Sequence, residues 1–144
     1  MPKSEKAVPV PSPGHWTFAA LQRMSPPMEL LRRIVKPLFW AALLFAYVVA
    51  IMPADEAPKI AQSDKVEHMI AFVTLALLGR LAYPRVKVVT LGLLLAGLGA
   101  AIEFTQMIPA LHRDGNVADW IADSIAIVVG LAVAGLLLRR FHAR

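Results

Sequence analysis

Residues 103–123 read EFTQMIPALHRDGNVADWIAD. In a chain that is 58% apolar by residue, Glu103, Gln106, Arg113, Asp114, Asp119 and Asp123 all fall within this stretch. It joins the end of one long apolar run to the start of the next. Ionisable groups at the edge of a bilayer are expensive and usually have a functional or pairing reason to be there. The stretch therefore predicts two membrane helices meeting at a polar end, with a polar pocket opening on one face of the membrane.

Composition agrees with that reading. Soluble domains are about 45–50% apolar, and a fold of 144 residues could not bury the excess found here, at a mean hydropathy of +0.60. The length allows one domain. The net charge of +5 and pI of about 10.0 do not indicate nucleic-acid binding, because the basic residues flank apolar runs instead of lining one face. The absence of cysteine excludes a disulfide framework, a thiolate metal site and thiol redox chemistry.

Working outward from 103–123, four spans are expected in an all-α, integral membrane four-helix bundle. Span 3 runs from Val88 to Ile108 and span 4 from Ala118 to Leu138. Upstream, span 2 covers Val66 to Tyr83, and span 1 covers Pro37 to Met52, extended by Ile34 and Val35 towards the roughly 20 residues a crossing needs. Residues 1–34 are Pro-rich and polar and predict a disordered tail, with Glu29–Lys36 as a short interfacial helix leading into the membrane. Met24 and Met28 are alternative starts to Met1. No signal peptide is evident. Residues 35–140 form the membrane domain and 141–144 a short tail.

Charge fixes the orientation. With four spans, the N-terminus, the turn at residues 84–87 and the C-terminus share one side. Of the 15 basic residues, only Lys59, Lys65 and Arg113 fall on the other side. The positive-inside rule places both termini in the cytoplasm. Arg80 is expected to snorkel to the cytoplasmic headgroups, and Trp40 and Tyr47 to be interfacial or lipid-facing aromatics.

The polar residues then gather at the outer ends of three spans. Asp64 and His68 lie four apart on span 2, and Asp119 and Asp123 four apart on span 4, each pair on one helical face. Glu103 lies about 7–8 Å below the end of span 3 at 1.5 Å per residue, with Gln106 a turn above it. Small residues recur on span 4 (Ala118, Ala122, Ala126, Gly130, Ala134) and on span 3 (Gly92, Ala96, Gly99, Ala100). Such stripes let helices approach closely, so the acids beside them should face protein and not lipid.

These residues carry a resemblance. Asp64-Lys65-x-x-His68, then Glu103-x-x-Gln106, then Arg113 followed by Asp119, resembles the VanZ-like family over roughly residues 35–140. That family is named for a membrane protein of teicoplanin-type glycopeptide resistance. It usually shows Asn four residues after the aspartate and Gly soon after, where this chain has Asp123 and Ala126. The resemblance implies a multi-pass protein of the bacterial cytoplasmic (inner) membrane, facing the cell wall.

Several chemistries fit the cluster. Asp64, Lys65, His68, Glu103, Gln106, Arg113, Asp119 and Asp123 are the candidate ligand-binding residues. Arg113 suits a phosphate or carboxylate in a bidentate grip, and Lys65 is the other nearby cation. An anionic headgroup, such as that of a lipid-linked cell-wall precursor, is the ligand this favours; the alternative is charge balance with Asp64, Asp114 and Asp119. His68, Glu103, Asp119 and Asp123 are candidate ligands for a divalent metal of the Mg, Mn or Zn kind, although HxxxH and HExxH spacings are absent. Glu103 and His68 are candidate acid–base groups for a membrane enzyme acting on a lipid-linked substrate. Glu103 alone would serve a small proton-coupled transporter, which at four spans would need to form a homo-oligomer. No Ser or Cys nucleophile with a suggestively placed base is present.

Overall fold

Long apolar runs broken by Pro, Gly and charged turns leave the backbone one way to satisfy its polar groups in lipid, the α-helix. The computed structural model describes residues 26–53, 55–58 and 63–142. They form four long helices: α1 (Pro26–Ile51), α2 (Asp64–Ala82), α3 (Val88–Gln106) and α4 (Val117–His142), with a 3-10 turn at Pro109–Leu111 before α4. Three of them, α1, α3 and α4, are long and apolar enough to cross a membrane. α2 carries Asp64, Lys65 and Glu67 in its first turn and Arg80 in its last, which keeps it outside that group on composition alone.

Two boundaries differ from the sequence expectation. α1 begins at Pro26 and continues through Pro37, so residues 26–34 are helical and the separate interfacial helix at 29–36 merges with span 1. Proline is tolerated in a first helical turn, where its missing N–H has no partner in any case. At Pro37 the lost bond is the one to the carbonyl of Arg33, an exposed residue whose carbonyl water can reach. At the other end α4 reaches His142, so it takes in the start of the tail expected at 141–144. The remainder of the expected 1–34 tail lies outside the described residues.

α2 is the centre of the bundle and packs against α1, α3 and α4. Phe72, Leu75, Ala76 and Gly79 of α2 are buried, together with Leu91, Leu95 and Ile102 of α3 and Ala126, Ile127, Leu131 and Ala134 of α4. The small residues set the closest approach. A Cβ built on Gly130 would lie 2.8 Å from both the Ala76 Cβ and the Val73 carbonyl oxygen of α2. The expected stripe on α4 is thus buried at Ala126, Gly130 and Ala134. On α3, Gly99 packs against Phe72 and Trp120, whereas Ala100 is exposed. The outward surface is apolar, with Leu93, Leu94, Phe104, Val128 and Leu136 all exposed, as expected of helices solvated by lipid.

At the end of the bundle away from residues 103–123, Trp40 Nε1 donates to the Tyr83 hydroxyl at 2.8 Å, and Phe39 meets the Tyr83 ring edge-on. Arg80 does not extend outward as expected. Its guanidinium donates to the carbonyls of Pro84 at 2.7 Å and Val86 at 3.3 Å, closing the turn between α2 and α3.

Candidate functional site

The polar end is assembled by a reversal of the chain after α3. The 3-10 turn ends at His112, whose φ of 48° lies in the left-handed region, and residues 113–116 run back across the end of α3. Gly115 is required there, because a Cβ would collide with the backbone carbonyl of Glu103. Asn116 then links two helices. Its backbone N–H donates to Glu103 Oε2 at 2.6 Å, and its side-chain oxygen accepts from the Ala118 N–H at 2.9 Å, capping the start of α4 as Asn commonly does.

Around this turn the candidate residues separate into two kinds. Five are committed to partners. Lys65 Nζ pairs with Asp119 Oδ1 at 2.8 Å. Gln106 Nε2 donates to the Ala50 carbonyl at 2.8 Å. Arg113 donates from Nε to the Met52 carbonyl at 2.7 Å, from one terminal nitrogen to Asp64 Oδ2 at 2.6 Å, and from the other to the Val49 carbonyl at 3.4 Å. These carbonyls belong to the C-terminal end of α1, where helix carbonyls lack intrahelical donors. The Arg113 side chain is only 5% exposed. Arg113 is therefore a cap that ties α1 to α2 and to the reversing loop, and not the free anion clamp suggested by its sequence position. Asp119 likewise is held by Lys65 and stands outside the group of residues that could share a metal.

The other three, His68, Glu103 and Asp123, converge from α2, α3 and α4. Each offers one ligand atom within 4.8 Å of those of the other two. His68 Nδ1 lies 3.8 Å from Glu103 Oε1 and 3.8 Å from Asp123 Oδ2, beyond hydrogen-bond reach. Glu103 and Asp123 are buried, at 5% and 1% exposure. Glu103 Oε1 and both carboxylate oxygens of Asp123 accept no hydrogen bond from the described residues. Lys65 and Arg113 are paired elsewhere, so among the described residues the imidazole is the one basic group within 4 Å of these carboxylates, with Lys65 a more distant positive charge near Asp123.

His68 also opens onto a cavity of about 210 Å³ between α1 and α2. One end is polar, formed by Asp64, Glu67, His68 and Arg113; the rest is lined by apolar side chains, Ala42, Phe45, Ala46 and Ile70 among them, and by Thr74. Phe45 and Ile70 are also largely exposed, so the cavity opens along the side of the bundle. No contribution from span 1 was expected. The signal was Ala42, Ala46 and Ala50, a stripe of small residues four apart on α1 that leaves room beside α2. Asn116 and Glu67 were missed too: Asn116 acts through its backbone N–H, which any residue but proline supplies, and an acid in a helix's first turn, as Glu67 is, is common without a binding role.

Comparison with family models, with curated proteins and with solved structures found no match to the chain. The functional reading therefore rests on the geometry above.

Proposed function

We propose that this chain is a VanZ-like integral membrane protein of the bacterial envelope that holds an anionic lipid or lipid-linked cell-wall precursor in the α1–α2 cavity, headgroup at the polar end. The observation that carries the reading is the shape and polarity of that cavity. It is an apolar trough open to the side of an apolar bundle, and it ends at Asp64, Glu67, His68 and Arg113. Along α1 the trough extends from Ala42 to Ala50, or ~12 Å at 1.5 Å per residue, which suits the upper part of a lipid chain. The family reading rests on the motifs alone, and it gains support from their convergence on one end of the bundle. An effect on susceptibility to teicoplanin-type antibiotics is the outcome the resemblance implies.

In this reading α2 is the fourth span. Its 19 residues extend ~28 Å, close to the ~30 Å hydrocarbon thickness. Its charges sit in its first and last turns, with the stretch from Met69 to Gly79 uncharged. Helices packed on three sides shield it from lipid, so it needs less hydropathy than its neighbours. Both termini lie in the cytoplasm and the polar end faces outward.

The direct test is lipid retention. The full chain is purified in mild detergent and examined by native mass spectrometry with added phosphatidylglycerol or a short-chain polyprenyl phosphate. One bound anionic lipid per chain is expected, lost on Ala46→Trp, which fills the trough. Equal retention by wild type and Ala46→Trp, or equal retention of phosphatidylcholine, would sink the reading. Enzyme and transporter readings share the same residues, and no observation favours either over binding.

A further inference from the structure

We propose that His68, Glu103 and Asp123 form a centre for one divalent first-row metal ion of the zinc or manganese kind. Two buried carboxylates with no lysine or arginine of the described residues in ion-pair contact are an expensive arrangement, since an ionised group removed from water must be paired or coordinated. Here three carboxylate oxygens on two residues, each at most 5% exposed, lack any hydrogen bond from the described residues. One oxygen of each acid and one imidazole nitrogen lie within 4.8 Å of one another. A cation among them would ligate both acids and the imidazole.

The geometry is close to that of a bound ion. Ligand bonds of ~2.0–2.1 Å in a tetrahedral zinc site place ligand atoms ~3.3 Å apart. The two His68 separations of 3.8 Å need to shorten by ~0.5 Å and the Glu103–Asp123 separation, within 4.8 Å, by up to ~1.5 Å to match tetrahedral zinc, which side-chain rotations supply. Glu103 is oriented for this role: Asn116 N–H holds Oε2 at 2.6 Å and leaves Oε1 free to ligate. Metal-bound carboxylates commonly have such an outer partner. One imidazole and two carboxylates suit zinc or manganese better than calcium or magnesium, which favour oxygen-only sets. Lys65 sits on Asp119 and so does not occupy the centre.

Three protein ligands leave a coordination position open, as in zinc sites that take an exogenous ligand. His68 lines the trough, so that position is reachable from it. A metal there would supply the positive charge that the trough's polar end, with Asp64 and Glu67 beside Arg113, does not offer a phosphate. This last step rests on the lipid reading; the metal centre itself does not, and metal uptake is measured without lipid.

The test uses the full-length protein in detergent, stripped with chelator and titrated with zinc, manganese or cobalt(II) chloride. Wild type is expected to take up one zinc or manganese per chain. Cobalt should give visible d–d absorption that added zinc abolishes. His68→Ala, Glu103→Gln and Asp123→Asn should each weaken uptake by more than about 100-fold, exceeding the tenfold to 100-fold typical of losing an outer partner. Asp119→Asn should change it little. The cobalt spectrum and the stoichiometry of wild type decide the matter even where a variant fails to fold. No stoichiometric uptake by wild type, or uptake unchanged in folded ligand variants, overturns the proposal and leaves the acids sharing a proton instead.

Discussion

Replacing Gly130 with alanine adds one methyl group at the tightest helix contact described, and its effect can be worked from the distances. The new Cβ would meet Ala76 Cβ and the Val73 carbonyl oxygen at 2.8 Å each. Comfortable carbon contacts are ~3.5–4.0 Å, so α2 and α4 must separate locally by ~0.7 Å or more. Overpacking of this kind costs ~1–3 kcal/mol, against ~1 kcal/mol gained when alanine replaces glycine in a helix. The balance is a net loss of up to ~2 kcal/mol. Gly135 lies on the same helix with nothing within 4 Å of its Cβ position, so Gly135→Ala should receive the gain alone and be neutral or stabilising. Reversible denaturation in mixed detergent–dodecyl sulfate micelles compares the two. Gly130→Ala as stable as Gly135→Ala would refute the close α2–α4 contact.

Arg113→Met removes donors to two carbonyls and to Asp64, and a loss of ~2–3 kcal/mol is expected by the same denaturation, since a hydrogen bond from a charged group carries ~1.5–3 kcal/mol and, of the three, the bond to Val49 is long at 3.4 Å and the Asp64 partner is exposed. Lys65→Met breaks a pair that is partly open to solvent and should cost under ~1 kcal/mol; a larger loss would show that the pair does more than balance charge. Gly115→Ala should destabilise the protein and move the loop off Glu103, read as faster amide exchange at Asn116. Glu103→Gln should raise the melting temperature of metal-free protein by removing a buried charge, yet abolish any metal-dependent rise; a fall in the metal-free protein would mean that the carboxylate is compensated already.

The helices and their polar ends were readable in sequence because hydropathy and charge act locally along the chain. The gathering of polar residues at one end was readable too, but not which of them meet: Asp64/His68 and Asp119/Asp123, each four apart, divide between ion pairs with Arg113 and Lys65 and the group of His68, Glu103 and Asp123. The Arg113–Asp64 pair matches the charge-balance alternative, but the capping use of Arg113 was not readable. Its partners, Val49 and Met52, are backbone carbonyls some sixty positions away, and any residue carries a carbonyl. The same holds for Gln106 and Ala50. The trough was hidden for a different reason: it is a gap between two helices, and alanines at 42 and 46 read equally well as ordinary lipid-facing residues until α2 is laid beside them. The helical start at Pro26 was masked by composition, since a proline pair is as common in disordered tails as in a first helical turn.

The proposed outer-face position of the polar end is tested most directly by thiol accessibility, which a chain without cysteine makes straightforward. Single replacements Asp55→Cys, Arg85→Cys and Asp114→Cys place one thiol in each connection between helices. In intact cells a membrane-impermeant maleimide is expected to label positions 55 and 114 and to reach position 85 only after the membrane is permeabilised. Labelling of 85 together with 55 in intact cells would show that α2 does not cross, and labelling of 85 alone would place the polar end in the cytoplasm; either result contradicts an outer-face site.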